Sequence, residues 1–190
     1  MSDKPILYLD IDGVLNVFPE PHKAPSSHRH LRNWGRWNTF TVPHPDPRKD
    51  DYLITYSLDM LDALLSLSDR YHITWLTDWR NDAVSVFSHN TGFPTFPVAH
   101  AMGADIPGLG IWSYTGHYDS RWWKANAIVD DMEANPDRRW AWIDDNIGSA
   151  ARTYFKSLAK ITGVKNLMIT TSERLGITPA DIVRLEEFAA

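Results

Sequence analysis

Short apolar runs alternate with longer amphipathic runs along this chain, and the alternation predicts a mixed α/β fold. Residues 5–11 (P-I-L-Y-L-D-I) form the first apolar run, which is typical of a buried strand. Three more segments with strand character follow at residues 71–77, 139–143 and 166–170. Strands that alternate with helices are typical of a parallel sheet covered on both faces.

The helical segments carry apolar residues three and four positions apart. Leucine or methionine at six positions between 58 and 67 predicts a helix over residues 57–70, with Ser57 as its N-cap. The last helix has the clearest start, because Thr178 suits the N-cap, Pro179 the first helical position and Asp181 the third. Further helices are predicted over residues 81–89, 120–134 and 147–158.

Residues 16–56 interrupt the alternation directly after the first strand. Six prolines lie between positions 19 and 47, among polar residues without periodicity. Within this segment, residues 36–43 and 52–56 are predicted to pair as a hairpin. Long irregular segments of compact domains are usually functional or disordered. We therefore predict one domain over residues 1–190, with residues 16–56 as a flap or minimal cap.

Composition limits the class of protein. The chain has 190 residues, of which 43% are hydrophobic, and no apolar run approaches the ~20 residues needed to cross a bilayer. It contains no cysteine, which excludes disulfides, thiolate catalysis and cysteine metal sites. A strand begins almost at the N-terminus, without a signal-peptide pattern. We expect a cytoplasmic protein with no membrane partner and no obligate protein partner.

Charge is unevenly distributed. The net charge of −5 argues against general affinity for polyanions, but residues 16–40 contain four basic residues and one acidic residue. Arginines and tryptophans in this segment are suited to contact phosphates and to stack on bases, although a solvated basic loop anchored by tryptophans explains the same pattern. The candidate substrate residues in the segment are Trp34, Trp37, Arg29, Arg32 and Arg36.

Pairs of acidic residues stand where two of the predicted strands end. Asp10 and Asp12 are two positions apart, so their side chains leave an extended chain on the same side. Asp144 and Asp145 follow the strand at residues 139–143. Buried carboxylates are costly unless a cation or hydrogen bonds compensate them, and their oxygens suit Mg²⁺. Since sites in open α/β sheets form beyond the carboxyl ends of strands, we expect the two pairs to meet there.

Each acidic motif also has a simpler explanation. Asp10 and Asp12 fit a turn with solvated acids, and Asp144 and Asp145 fit an acidic helix cap. An EF-hand loop that starts at Asp10 is excluded, because its sixth and twelfth positions lack the required glycine and glutamate. A glycosyltransferase D-x-D motif would also hold a metal, but it does not account for the polar residues that follow.

Two polar residues extend the pattern. Thr77 ends a predicted strand, where its hydroxyl and the next N–H are suited to bind a phosphoryl oxygen. Lys124 lies near the start of a predicted helix, where a cation is unfavourable unless an anion is held nearby. Taken alone, each also fits an ordinary strand end or a surface lysine. Trp79 and Arg80 follow Thr77 closely and are candidates for the mouth of the same site.

The four motifs, in this order, resemble the haloacid dehalogenase (HAD) superfamily. L-D-I-D-G-V-L-N resembles its first motif, T-W-L-T its second, Lys124 its third and W-I-D-D-N its fourth. W-L-T-D-W-R, W-I-D-D and G-I-T-P-A-D-I-V-R-L further resemble small HAD domains found in nucleic-acid repair proteins. The resemblance covers about residues 5–189 and implies a Rossmann-like core, with a central parallel sheet flanked by helices.

The resemblance implies a phosphatase that works through an aspartyl-phosphate intermediate. Asp10 would be the nucleophile, and Asp12 would protonate the leaving oxygen and then deprotonate water. Dehalogenases typically lack an acid at the position of Asp12. Thr77 would orient the phosphoryl group, and Lys124 would supply positive charge.

The implied cofactor is Mg²⁺, and the implied substrate is a phosphomonoester. Asp10, the Asp12 carbonyl and Asp144 would hold the metal, while Asp145 would either hold its waters or replace Asp144. The insertion after Asn16 is too short for a helical cap domain, which leaves the site open to a nucleotide or a phosphorylated nucleic-acid end. A non-catalytic HAD-like binding module and a phosphatase of small sugar or metabolite phosphates are the alternatives.

Overall fold

A computed structural model of the chain describes residues 4–18, 33–44, 46–100 and 122–190, except the side chain of Trp122. The account below is confined to these residues. Arg29 and Arg32, two of the candidate substrate residues, lie outside them.

Strands in the described residues form one parallel sheet and one hairpin. The strands are β1 (Ile6–Leu9), β2 (Trp37–Val42), β3 (Tyr52–Ser57), β4 (His72–Trp75), β5 (Trp140–Asp144) and β6 (Asn166–Thr170). The sheet has the order β4-β1-β5-β6, and each neighbouring pair is parallel. Leu9 pairs with Trp75 on one side and with Ile143 on the other. The carboxyl ends of β1, β4 and β5 therefore lie side by side at one edge of the sheet.

Helices follow the strands, as the sequence predicts. In the described part of the chain they are α1 (Leu58–Leu65), a 3₁₀ turn (Ser66–Asp69), a π-helix (Ala83–Ser88) that continues into α2 (His89–Thr91), α3 (Trp122–Ala134), α4 (Ser149–Thr162) and α5 (Pro179–Ala189). Both predicted N-caps are confirmed: the Ser57 hydroxyl accepts from the Met60 N–H, and Thr178 forms a capping box with Asp181. None of these helices has the length and apolar character that a membrane span requires.

Two hydrophobic clusters cover the two faces of the sheet. Leu7 and Leu9 of β1 belong to one cluster, which includes buried residues of α1 and α5. Ile6 and Tyr8 belong to the other, which includes buried residues of α3 and α4. Successive side chains of a strand point to opposite faces of the sheet, so the short apolar run of β1 contributes side chains to both clusters. The predicted α/β fold, a central parallel sheet flanked by helices, is confirmed.

The antiparallel hairpin of β2 and β3 lies within the predicted insertion. Its register pairs Trp37 with Ser57 and Val42 with Tyr52. Ile54 of β3 is buried in the same cluster as Leu9, which joins the hairpin to the core of the domain. The predicted strand pairing is thus observed, whereas the role of the segment as a flap over the site stays a prediction.

Candidate active site

The ends of β1 and β5 bring two acidic residues together below the surface. Asp10 follows β1 directly, and its N–H donates to the Ile143 carbonyl of β5 at 3.1 Å. Asp144 is the last residue of β5. The two residues are 4% and 1% exposed, and their carboxylate oxygens lie within 4.8 Å of each other and of an Asp145 oxygen. The predicted meeting of the two acidic pairs is therefore observed.

Lys124 of α3 lies between these two carboxylates. Its Nζ donates to Asp10 Oδ2 at 2.6 Å and to Asp144 Oδ2 at 2.7 Å, and the residue is 7% exposed. Burial alone would lower the pKa of Lys124, but the two carboxylates outweigh it and raise the pKa above its ordinary value. Lys124 therefore carries its positive charge at neutral pH.

The surroundings of Asp10 shift its pKa in opposite directions. Burial raises the pKa of Asp10 to about 7, while Lys124 lowers it, Asp144 raises it and a Thr77 hydrogen bond lowers it. Burial also raises the pKa of Asp145. Within the described residues, three carboxylates with one neighbouring ammonium group form an oxygen-rich donor set with too few positive charges. This donor set fits a hard divalent cation such as Mg²⁺.

Both carboxylate oxygens of Asp12 accept hydrogen bonds from side chains. Oδ1 accepts from Asn16 Nδ2 at 2.9 Å, and Oδ2 accepts from Trp79 Nε1 at 2.8 Å. Asp12 also lines the cavity that contains Asp10. Its carboxylate is thus fixed beside the proposed nucleophile, and two N–H donors determine its orientation.

Gly13 allows the two acidic segments to approach each other closely. Its φ of +67° lies in the left-handed region, where side chains are strained. A Cβ at this position would lie 2.5 Å from the Asp145 Cβ. Glycine is therefore required both by the turn after Asp12 and by the packing of Asp145 against it.

The site opens into a cavity of about 130 Å³. Thr77, which is buried after the end of β4, lines it together with the acidic residues and Lys124. Among the described residues, the cavity is also lined by four that the sequence analysis did not assign to the site, namely Asp78, Trp123, Trp142 and Asn146. Asp78, Trp142 and Asn146 belong to the stretches W-L-T-D-W-R and W-I-D-D-N, and Trp123 directly precedes Lys124. Their positions within or beside the motifs are the signal in the sequence that could have indicated them.

Trp142 and Asn146 support the carboxylate of Asp144 from its own segment. Trp142 Nε1 donates to Asp144 Oδ2 at 3.3 Å, and the Asn146 N–H donates to Oδ1 at 2.8 Å. With the bond from Lys124, the carboxylate accepts three hydrogen bonds. These bonds compensate its burial and fix its orientation.

The candidate substrate residues of the hairpin contact other parts of the protein. Trp34 Nε1 donates to the Ile177 carbonyl at 2.8 Å, and Trp37 Nε1 donates to the Trp34 carbonyl at 3.0 Å. Arg36 Nε donates to Asp59 Oδ1 at 2.5 Å on the surface. These three residues are not among the described residues that line the cavity, and their role toward a substrate stays a prediction.

Arg80 and Trp79 lie nearer to the cavity. The Arg80 guanidinium is 3.5 Å from the centre of the Trp123 ring, which lines the cavity, and Trp123 Nε1 donates to Asp78 Oδ1 at 2.8 Å. Trp79 is 7% exposed, and one face of its ring stacks on Tyr52 with 4.1 Å between centroids. The contact of Trp79 with the Asp12 carboxylate was not predicted from the sequence.

Comparison with known proteins places this geometry in a family. The family model of the HAD domain in Swiss Army Knife RNA repair proteins matches residues 6–182, a range that includes every residue of the cavity. No curated protein and no solved structure matches the chain significantly. The chain therefore belongs to the family of HAD domains in Swiss Army Knife RNA repair proteins, and its general activity class is that of a HAD-type phosphohydrolase.

Proposed function

We propose that this chain is a Mg²⁺-dependent phosphomonoesterase that forms an aspartyl-phosphate on Asp10. The observation that carries the proposal is the pair of hydrogen bonds from one buried ammonium group, Lys124 Nζ, to Asp10 and Asp144. These bonds join a carboxylate suited to attack phosphorus, a fixed positive charge and a metal-binding carboxylate at the edge of one sheet. Thr77 lies at the end of the neighbouring strand and lines the same cavity.

The donor set determines which residues would hold the metal. Carboxylate oxygens of Asp10, Asp144 and Asp145 lie close enough to share one cation, and the Asp12 carbonyl would complete the set. When bound, Mg²⁺ would neutralise the negative charge of the phosphoryl group that an anionic nucleophile must approach. Lys124 contributes a second positive charge from the protein itself.

In the first half of the proposed reaction, an Asp10 oxygen forms a bond to phosphorus while the bond from phosphorus to the leaving oxygen breaks. Asp12 transfers its proton to that leaving oxygen. In the second half, Asp12 takes a proton from water, whose oxygen attacks phosphorus. The bond between phosphorus and Asp10 then breaks, which releases phosphate and restores both carboxyl groups.

The proposed substrate is a phosphorylated nucleic-acid end, preferably of RNA. The description of the matched family supports this class of substrate. Arg80 supports it independently, because no carboxylate pairs with its guanidinium within the described residues, while its stacking partner Trp123 lines the cavity. A guanidinium in this position is suited to bind the phosphodiester next to a terminal phosphate. We propose that Trp34, Trp37 and Arg36 make weaker contacts with the nucleic acid, farther from its phosphorylated end.

The test measures phosphate release by the full chain from p-nitrophenyl phosphate, with Mg²⁺ or with a chelator. We expect Mg²⁺-dependent release that Asp10→Asn abolishes. Asp12→Asn should reduce it to a trace, because phosphate on Asp10 is then hydrolysed without the general base, and general acid–base catalysis contributes about 10²–10⁴-fold. Mass spectrometry of the rapidly quenched protein checks for phosphate on Asp10. Wild-type, metal-dependent activity in Asp10→Asn would contradict the proposed nucleophile.

A substrate panel then identifies the class of phosphate ester. It compares 5′- and 3′-phosphorylated RNA and DNA oligonucleotides with mononucleotides and sugar phosphates. We expect the highest kcat/KM for a phosphorylated oligonucleotide. A preference for sugar phosphates would favour a metabolite phosphatase, and binding of phosphorylated RNA without hydrolysis would favour a non-catalytic module.

A further inference from the structure

Two N–H donors from different segments hold the carboxylate of Asp12 on opposite oxygens. Asn16 Nδ2 contacts Oδ1 at 2.9 Å, and Trp79 Nε1 contacts Oδ2 at 2.8 Å. A carboxylate has about four acceptor positions, so each oxygen keeps one for a proton or a leaving group. The two bonds thus fix the plane of the carboxylate and leave an acceptor position free on each of its oxygens.

Strand β3 of the hairpin fixes the first donor. Asn16 is buried, and its Oδ1 accepts from the Thr55 N–H at 2.8 Å. Its Nδ2 also donates to the Leu53 carbonyl at 3.2 Å. Both partners belong to the backbone of β3, so the orientation of the Asn16 amide, and of the donor it offers to Asp12, depends on the position of that strand.

The same strand fixes the second donor through a stack of aromatic rings. Tyr52, the first residue of β3, lies 4.1 Å from the Trp79 ring with 25° between the planes. His44 also stacks on the Tyr52 ring, with 4.8 Å between the centroids and 27° between the planes. The Tyr52 hydroxyl donates to Asp82 Oδ2 at 2.9 Å, which fixes the phenol ring within its plane.

We infer that strand β3 positions the proton-transferring residue of the site, with Asn16 and Trp79 as the positioning residues that connect the hairpin to Asp12. This inference rests on the proposed function, because it takes Asp12 as the general acid. The hairpin then positions a catalytic residue, in addition to any contact that it makes with the substrate. Displacing Trp79 or Asn16 impairs delivery of the proton to the leaving oxygen and leaves the attack by Asp10 intact.

Leaving-group dependence separates this role from a merely structural one. A p-nitrophenolate ion departs without a proton, whereas the alkoxide of an alkyl phosphate requires one. Because kcat/KM reports steps up to the first irreversible one, it isolates formation of the phospho-enzyme. We expect Trp79→Phe to lower kcat/KM about 10–100-fold for an alkyl phosphate and less than about 3-fold for p-nitrophenyl phosphate.

Trp75→Phe is the matched control. It makes the same change in the same hydrophobic cluster, and Trp75 Nε1 has no hydrogen-bond partner in the described part of the chain. We expect this variant to affect both substrates equally. Asn16→Asp keeps an acceptor for the Thr55 N–H but loses the donor to Asp12 and to the Leu53 carbonyl, and it places a second carboxylate beside Asp12. It should show at least the selective loss of Trp79→Phe. Thermal unfolding establishes that each variant is folded.

Tyr52→Leu tests the hairpin itself, because it removes the ring that stacks on Trp79 without touching Asp12. It should reproduce the selective loss in a weaker form, and it provides an answer if Trp79→Phe does not fold. If Asp12→Asn is selective against alkyl phosphates while Trp79→Phe, Asn16→Asp and Tyr52→Leu affect both substrates equally, the inference is overturned and the proposed function stands. If Asp12→Asn is itself unselective, the acid assignment fails, and the inference fails with it.

Discussion

The site at the strand ends and the outer surface of the hairpin both contain charged hydrogen bonds, but in different surroundings. Asp10 and Lys124 are almost completely buried, and three separate elements supply the charges around them. Arg36 also contacts two carboxylates, yet its side chain is 56% exposed. Ion pairs in water contribute about 0–1 kcal/mol, whereas removing one partner of a buried pair costs about 3–5 kcal/mol. The buried contacts therefore determine geometry, and the exposed ones contribute little.

This difference changes how the hairpin is understood. The sequence predicted its basic and aromatic residues as substrate contacts. In the structure, Trp34 and Trp37 donate their indole N–H groups to backbone carbonyls. Strand β3 instead contacts Asn16 and Trp79, which donate hydrogen bonds to Asp12. The hairpin is therefore connected to Asp12 through strand β3.

Removing the buried ammonium group tests the strand-end site most severely. Lys124→Met leaves Asp10 and Asp144 without their shared donor, so we expect activity on p-nitrophenyl phosphate to fall by at least about 10³-fold. Thermal unfolding should show a loss of about 3–5 kcal/mol without metal. Lys156→Met, on the exposed side of α4, is the control and should change neither measurement appreciably. Near-normal activity of Lys124→Met would show that the ammonium group is dispensable.

Stability as a function of pH tests the charge imbalance in the same site. Burial raises the pKa of Asp10 from 3.8 to about 7, so the folded protein binds more protons than the unfolded chain between these values. With a chelator present to remove metal, the Asp10 carboxyl therefore makes the free energy of unfolding decrease as pH rises from about 4 to about 7. The decrease is roughly 4 kcal/mol at most. Asp10→Asn should make this decrease shallower in thermal melts, and Mg²⁺ should stabilise the wild type at neutral pH. Identical pH profiles of the wild type and Asp10→Asn would contradict this cause.

Adding one methyl group tests the close approach of the two acidic segments. Gly13→Ala places a Cβ against Asp145, and we expect activity to fall about 10–100-fold because the carboxylate must move. Gly92→Ala is a matched control, because its φ of +74° is similar while no atom lies within 4 Å of the added Cβ. The control should cost about 1 kcal/mol of stability and leave activity on p-nitrophenyl phosphate unchanged. Equal loss of activity in both variants would attribute the effect to backbone strain alone.

Arg80→Gln tests recognition of the nucleic-acid strand at the mouth of the cavity. Losing the guanidinium should raise KM for a phosphorylated oligonucleotide about 10-fold, with a much smaller change for p-nitrophenyl phosphate, which has no second phosphate. Arg48→Gln is the control, because the Arg48 side chain is 86% exposed and pairs with Asp46 at the surface. A parallel change for both substrates would place Arg80 outside substrate selection.

The smallest effect is expected from the outer hairpin. Replacing Trp34 and Trp37 together by phenylalanine should raise KM for nucleic-acid ends by a few-fold, and more than for an aryl phosphate, if bases stack there. Equal effects on the two substrates would assign both indoles to packing alone. Salt titration of oligonucleotide binding gives an independent measurement, because phosphate contacts depend steeply on salt.

The sequence by itself determined the sheet, the order of the motifs and the residues at the strand ends. Short apolar runs that alternate with helices favour a parallel sheet covered on both faces, and parallel strands bring their carboxyl ends to one edge. The meeting of Asp10 with Asp144 followed from this local and topological logic. Lys124 was predicted by its place in the order of motifs, since spacing alone does not distinguish it from a surface lysine.

Only the tertiary structure decided how the side chains around these residues are connected. Nothing in the local sequence relates Trp79 to Asp12, which lie 67 positions apart, or Asn16 to the backbone of β3. Such contacts depend on the packing of the hairpin against the sheet, and a periodic pattern encodes which face is buried but not which atoms meet. Burial likewise sets the pKa of Asp10, because the cost of a charge depends on all the surrounding atoms and not on the neighbours in sequence.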